Sequence, residues 1–387
     1  MALVASAIGD FLSSFATVAI IGPIAMIALM IGPPEIAAIL ILSLLIIVVT
    51  SSGNFFKNML MLLIGALLAM IGQDPIGAMV RFDFGFHALQ AGIDLLPLVI
   101  GLFAIPEILL AMERRESSIV AGASTRPEGD RLRWADLRPC LRTIFRSTAL
   151  GGVIGAIPGV GQVVAAIMGY SAAKNASKHP ERFGKGELEG VAAPEAANNA
   201  VNGPTMVPLL TLGIPGDNIT AIMLGAFVAQ GLRPGPQLFQ EQGALVYAIL
   251  FSMLIACVLL LVIGYVLTPV FARLVTINKA YLVPLMLLFA VAGTYVYRSN
   301  PMDLWFMIAF GVFGYCTRKL SFDVTPLVMS FILMPPLEYA VGQSMLLAQD
   351  DVFGYLIGSR PITVAVLVLM PILIFWIAYR QRGRALA

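Results

Sequence analysis

The chain has 387 residues, 59% of them hydrophobic and 12% charged, with a mean hydropathy of +0.91 and a formal net charge of +2. A soluble domain carries about 25% charged residues, so this chain lacks the polar surface needed to face water and reads as a polytopic membrane protein. A charge balance this close to zero gives no reason to expect a nucleic-acid partner.

Met1 is followed by ALVASAIGD, without a lysine or arginine. The basic start of a signal peptide is therefore missing, and the chain reads as beginning almost directly in a membrane helix. A spanning helix needs about 20 mainly apolar residues. Nine stretches qualify, near 3–31, 35–51, 55–71, 88–111, 244–270, 280–297, 302–316, 322–342 and 361–379. Cys140, Cys257 and Cys316 lie far apart and read as small apolar fillers. His87 and His179 have no ligand-spaced partners, so no metal site is read.

Charge asymmetry orients these helices. The loop 113–147 holds eight arginines against five acids, and the tail holds Arg380, Arg382 and Arg384. Both read as cytoplasmic, as do Lys57, Arg273, Lys279, Arg318 and Lys319. The two termini then lie on the same, cytoplasmic side, which requires 148–240 to make an odd number of net crossings. Within the loop, RWADLRPCLRTIFR is either a topology anchor or a basic amphipathic helix on the inner leaflet.

The middle of the chain is different. GGVIGAIPGVGQVVAAIMGY at 151–170 and TLGIPGDNITAIMLGAFVAQG at 211–231 each carry an Ile-Pro-Gly triplet. Proline removes a backbone donor and clashes with the preceding turn, and glycine permits conformations other residues avoid. In hydrocarbon, broken backbone is tolerated only when buried in protein or lining a watery cavity. Transporters place substrate and ions at such discontinuous helices. The fold class is therefore an all-α polytopic membrane protein with about nine spanning helices plus broken or re-entrant helices at 148–170 and 200–232. Its organisation reads as N-terminal membrane helices over 1–112, a basic cytoplasmic loop over 113–147, and a membrane domain over 148–387 with the broken-helix core at 148–232. A re-entrant hairpin at 148–170 leaves the single net crossing to 200–232.

Between the breaks lies a polar cluster. Glu195, Asn198, Asn199 and Asn202 follow Pro194 at spacings of three, four and seven from Glu195, which puts them on one face if the segment is helical. A carboxylate with amide carbonyls is a hard oxygen set for Na+ or a carried proton, and amide N–H groups equally suit a substrate carboxylate. Asp217 and Asn218 either cap a half-helix or join the site. Thr211, in the run leading to the second break, is taken with these polar groups. A second reading leaves Glu195 in a wet loop beside KNASKHPERFGKGELEG. No catalytic residues are read: there is no GxSxG, HExxH or nucleotide loop, and Asp10 and Asp94 lack the tyrosine that precedes the partner aspartate of an intramembrane protease.

The run from GGVIGAIPGVGQ through APEAANNAVNGP and LTLGIPGDNIT to AQGLRPGP resembles the large membrane subunit of tripartite tricarboxylate transporters, the TctA family. IGPPEIAAILILSL, IGQDPIGAMVRFDFG and GLFAIPEILLA extend the resemblance over nearly the whole chain. It implies a secondary transporter of the bacterial inner membrane. Such a transporter works with a periplasmic solute-binding protein and a small membrane subunit, and takes up citrate or related carboxylates with Na+ or H+ as the coupling ion. It needs no other cofactor and is not an enzyme. The family's broken-helix elements carry over to Gly155, Pro158, Gly159 and Gly161, and to Gly213, Pro215 and Gly216; its acid-amide cluster carries over to Glu195, Asn198 and Asn199. Members are usually longer, and their first half has its own pair of Pro-Gly breaks. The chain reads as starting after that pair, with 1–112 the remainder of a first repeat. A truncated, non-transporting membrane scaffold, or half of a split transporter, is the alternative, and a passive channel comes third.

Overall fold

The computed structural model describes residues 1–51, 54–74, 76–77, 79–113, 132–235, 237–274, 279–349, 351, 354–356 and 360–371. The first part of the basic loop (114–131), the stretch 275–278 and the arginine-bearing tail (372–387) lie outside the described residues, so their predicted placement is not addressed. The described chain is almost wholly helical. All nine predicted apolar stretches contain helix among the described residues, the last over Pro361–Pro371. Five helices among the described residues are long and apolar enough to cross a membrane: Ala2–Ala28, Pro33–Thr50, Leu95–Glu113, Leu238–Thr268 and Tyr281–Arg298. The other four stretches give helices that are shorter or more polar. The chain divides into two compact units, 1–28 with 111–287, and 29–110 with 288–387.

The first unit is built on α1 (Ala2–Ala28), α6 (Trp134–Gly155), α7 (Gly161–Ala176), α8 (Glu189–Asn199), α9 (Asn202–Leu212), α10 (Asn218–Ala229) and α11 (Leu238–Leu274). The short α8 lies in its middle, against α1, α6 and α7. Lipid is as apolar as leucine, so membrane helices associate through close packing of small residues. α8 follows that rule: Ala192, Ala193, Ala196 and Ala197 are fully buried. Glycines on the neighbours complete the fit. A Cβ on Gly9 of α1 would come 2.5 Å from the Ala196 carbonyl oxygen, and one on Gly151 of α6 2.2 Å from that of Ala197. Further along, Ile21 of α1 joins Met206, Leu209 and Leu210 of α9 and Val246 and Leu250 of α11 in an apolar core. Backbone at Gln242 leaves helical geometry, so the long apolar run of α11 starts just after it.

α6 begins inside the basic loop and continues into the first broken segment. Its buried residues Cys140, Thr143, Ile144, Ser147, Thr148 and Gly151 recur at helical spacing, which is why arginine-rich sequence nonetheless docks as a helix. Cys140 is packed filler: burial, then the carboxylates of Glu189, Glu187 and Asp136, push its thiol up to about 11.

The second unit contains α2 (Pro33–Thr50), α3 (Phe55–Ala69), α4 (Leu95–Val99), α5 (Ile105–Glu113), α13 (Pro301–Lys319), α14 (Thr325–Ala348) and a helix over Pro361–Pro371. α12 (Lys279–Arg298) bridges the division in sequence. α14 packs on α3 and α2, with a Cβ on Gly65 2.1 Å from the Leu327 carbonyl oxygen. Two two-residue strands, β1 (Gly72–Gln73) and β2 (Val80–Arg81), pair in the loop after α3, where Arg81 bonds Glu338. α4 and α5 join through one π-helical stretch, Ile100–Ala104. Pro106 has no N–H for the Leu102 carbonyl, and the wider π turn absorbs that mismatch without ending the helix.

The packing against α8 makes a direct test. Gly151→Val places side-chain atoms against backbone that has no rotamer to yield, at a cost of about 1–3 kcal/mol. The melting temperature in detergent should fall by several degrees. Gly243→Ala, where a Cβ meets nothing within 4 Å, should leave it unchanged or raise it.

Candidate functional site

Both Ile-Pro-Gly triplets lie in breaks between helices of the first unit, the first at the tip of the α6–α7 hairpin and the second between α9 and α10. α6 and α7 run antiparallel, since the Arg146 guanidinium donates to the Ala172 carbonyl at 2.9 Å while the chain reverses over 156–160. Gly159 sits at φ +85°, a left-handed conformation that only glycine adopts cheaply. The second break separates α9 from α10. Gly213 ends α9 at φ +72°; its N–H reaches the Leu209 carbonyl and that of Ile214 reaches Pro208, a left-handed cap that satisfies two orphan carbonyls. The Gly235 N–H returns to the Leu210 carbonyl at 3.1 Å and satisfies a third.

The two tips touch. The Gly159 N–H donates to the Gly216 carbonyl at 2.8 Å. This contact brings the N-terminal ends of α7 and α10 together: a Cβ on Gly161 would lie 3.9 Å from the Asp217 Cβ. α7 has no side-chain cap, so its first-turn N–H groups are left for another partner. Aligned peptide dipoles make such ends attractive to anions. Beside the second tip, the Thr205 hydroxyl is buried without a hydrogen-bond partner, and a Cβ on Gly216 would come 3.1 Å from it. A buried hydroxyl without a partner is uncommon and marks a place where a polar group is wanted.

The predicted polar residues distribute unevenly. Glu195 accepts from Ser6 Oγ of α1 at 2.8 Å. Asn202 donates through Nδ2 to Asp10 of α1 at 3.2 Å and accepts at Oδ1 from Gln162 Nε2 of α7 at 2.6 Å. Both therefore turn toward α1, although α8 ends at Asn199 and α9 restarts at Asn202. Asn199 folds its amide onto the Glu195 carbonyl at 3.1 Å, and Asn198 is half-buried. Thr211 is buried with its hydroxyl on the Val207 carbonyl of its own helix. Asp217 caps α10, accepting from the Thr220 N–H at 2.8 Å. Asn218 is the first residue of α10, and its side chain lies outside the described set.

Sequence reasoning passed over the partners of this cluster. Ser6, Asp10, Ser13, Ser14 and Thr17 are all buried on α1 and recur at three- and four-residue steps. That stripe was readable as a polar face on an otherwise apolar helix. Gln162 carried no such signal. The arrangement as a whole is short of positive charge: 149–173 and 186–232 contain no lysine or arginine, while Asp10, Glu195 and Asp217 supply carboxylates. It can hold an anion through backbone N–H groups and amides, and a cation or proton through the acids.

The cap is separable from the rest. Asp217→Ala should cost α10 about 0.5–2 kcal/mol. Hydrogen exchange should then speed up in the first turn of α10 and stay unchanged in α6.

The family profile described as Tripartite tricarboxylate transporter TctA family matches residues 1–329. An uncharacterised 52.8 kDa protein in the TAR-I ttuC' 3' region of Agrobacterium vitis is 35% identical over 370 residues, which cover 95% of this chain and 73% of that protein. An uncharacterised protein in the TAR-II ttuC' 3' region of the same organism is 37% identical over 217 residues, covering 56% of this chain and 89% of its own. No solved structure matches the chain. The profile takes in the helices of the first unit, both broken segments and the acid-amide cluster, and on that extent the chain belongs to the tripartite tricarboxylate transporter TctA family.

Proposed function

We propose that this multi-pass membrane protein is the large membrane subunit of a binding-protein-dependent secondary transporter that takes up tricarboxylates or related carboxylates with Na+ or H+. It works with a small membrane subunit and a periplasmic solute-binding protein in the bacterial inner membrane, with both termini in the cytoplasm. The α6–α7 hairpin enters the bilayer and returns, and the net crossing falls to the α9–α10 segment.

The observation that carries this reading is the hydrogen bond joining the two helix breaks. It gathers the start of α7, the start of α10 and the Asn202 bridge, all drawn from stretches of sequence (149–173 and 186–232) without a lysine or arginine. A carboxylate there is held by peptide and amide N–H groups, as in transporters with discontinuous helices. Because Asp10 and Glu195 lie close by and, among the described residues, no lysine or arginine pairs with either, an anionic substrate requires a positive charge to enter with it. That requirement supports cation coupling, and Glu195 with the asparagines is the reading for where cation and substrate meet. Alternating access then turns on the two broken segments.

Uptake of labelled citrate into membrane vesicles, driven by an imposed Na+ or proton gradient, tests this with Glu195→Gln and Asn199→Ala beside wild type. Hydrogen bonds to a charged group contribute about 1.5–3 kcal/mol, so Glu195→Gln should lower coupled uptake by about tenfold or more. Asn199→Ala, which frees a carbonyl of α8, should give a smaller loss. Unchanged uptake in both variants overturns the assignment of the site.

A further inference from the structure

Asp10 is only 8% exposed, in the midst of an apolar helix long enough to span a bilayer. It stands eight residues past the start of α1, about 12 Å along the axis. Every group set against it is neutral. Asn202 Nδ2 and Ser14 Oγ both meet Oδ1, at 3.2 and 3.4 Å, and the Cys257 thiol of α11 is set against the carboxyl. Among the described residues no lysine, arginine or histidine pairs with it.

The helices packed on α1 offer no other compensation. α9 has no titratable side chain. α8 presents Glu195, one turn away through Ser6, and α11 presents Cys257, with Tyr247 farther along beside Gly22. α6 brings the neutral Cys140 near Ala5, while its arginines stay on the exposed side. An ionised carboxylate held by neutral donors at such depth is costly, and a proton removes the cost. The oxygen set is poor for a metal ion: Asn202 Oδ1 is turned to Gln162, and Ser13 Oγ is spent on the Asp10 carbonyl.

We infer that Asp10 is the proton-carrying carboxyl of the transporter, and that Asn202 and Gln162 relay its protonation to the tip of the α6–α7 hairpin. This rests on the carboxylate-transport reading and assigns its coupling ion. The relay follows from donor and acceptor inventory. With Asp10 ionised, its oxygen accepts from Asn202 Nδ2, and Asn202 Oδ1 accepts from Gln162 Nε2, as observed. Gln162 then turns its carbonyl oxygen outward, an end that repels a carboxylate. With Asp10 protonated, its O–H becomes a donor. The Asn202 amide reverses so that Oδ1 accepts from Asp10 and Nδ2 donates to Gln162 Oε1. Gln162 reverses in turn and presents its NH2 to the region beside Gly161, where α7 starts. One proton bound at Asp10 thus converts the hairpin tip from acceptor to donor, and no bond other than O–H is made or broken. Loading grows as pH falls, so the proton binds before the anion.

Infrared spectra of the purified full-length chain decide the proton site without any substrate. Wild type at neutral pH should show the C=O stretch of a protonated carboxyl that shifts in D2O and disappears on raising the pH. Asp10→Asn, which imitates the protonated shape, should lose that band, and Asp10→Glu should restore it at a shifted position. In vesicles, wild-type citrate uptake should rise as the outside is acidified, and Asp10→Asn should lose that dependence. A band that persists in Asp10→Asn overturns the inference, as does a wild type without the band whose uptake runs on Na+ alone. A wild type that takes up no carboxylate under any gradient, yet loses its band in Asp10→Asn, overturns the transport reading while upholding Asp10 as a proton site.

Discussion

A peptide N–H inside hydrocarbon has no water to turn to, so a helix broken there must find each freed group a partner within the protein. In this chain the hydrogen bond from Gly159 to Gly216 is where that requirement is met and exploited. Each Ile-Pro-Gly triplet leaves backbone groups without helical partners, and each tip partly satisfies the other. The same bond sets the ends of α7 and α10 side by side and holds Gln162 where Asn202 reaches it. The site's geometry and its link to α1 both descend from that one contact.

Around it, the first unit is assembled by close approach of backbone to backbone. Ala196, Ala197 and Val201 present carbonyls to Gly9, Gly151 and Gly155. Small residues let polar side chains on α1 and on α8 and α9 come within hydrogen-bonding range. Ser6 meets Glu195 and Asp10 meets Asn202, one helical turn apart on α1, so the polar stripe is a zipper and not a set of isolated contacts.

How much of this could be read from residues alone depended on the range of the interaction. Hydropathy and length are local properties, and the nine apolar stretches drawn from them each hold helix among the described residues. Proline and glycine act on their own turn, so both breaks fell where the triplets stand. α6 shows where the local reading weakens: its arginines marked either a topology anchor or a surface helix, while the buried face from Cys140 to Gly151, spaced for a helix, carries it into the fold. Asp217 was open between capping and binding because both use the same carboxylate, and in the structure that carboxylate caps α10. Contacts across long sequence separations left no local trace. Nothing near Asn202 announces Asp10, and nothing near Gly159 announces Gly216. The spacing of Ser6, Asp10, Ser14 and Thr17 did show a polar face, but not what it would face.

That separation has a consequence for how the protein is made. Asp10 and its partner Asn202 are 192 residues apart. At ribosomal rates of about 5–20 residues per second, roughly 10–40 s pass between their syntheses. Through most of that interval α1 carries Ser6, Asp10, Ser13, Ser14 and Thr17 without α8, α9 and α11, which later pack on it. A nascent helix with such a face either waits beside the insertion machinery or holds Asp10 neutral until α8 and α9 arrive. The polar stripe is therefore also a timing constraint on biogenesis, and a helix made well before its partners is among the last to settle.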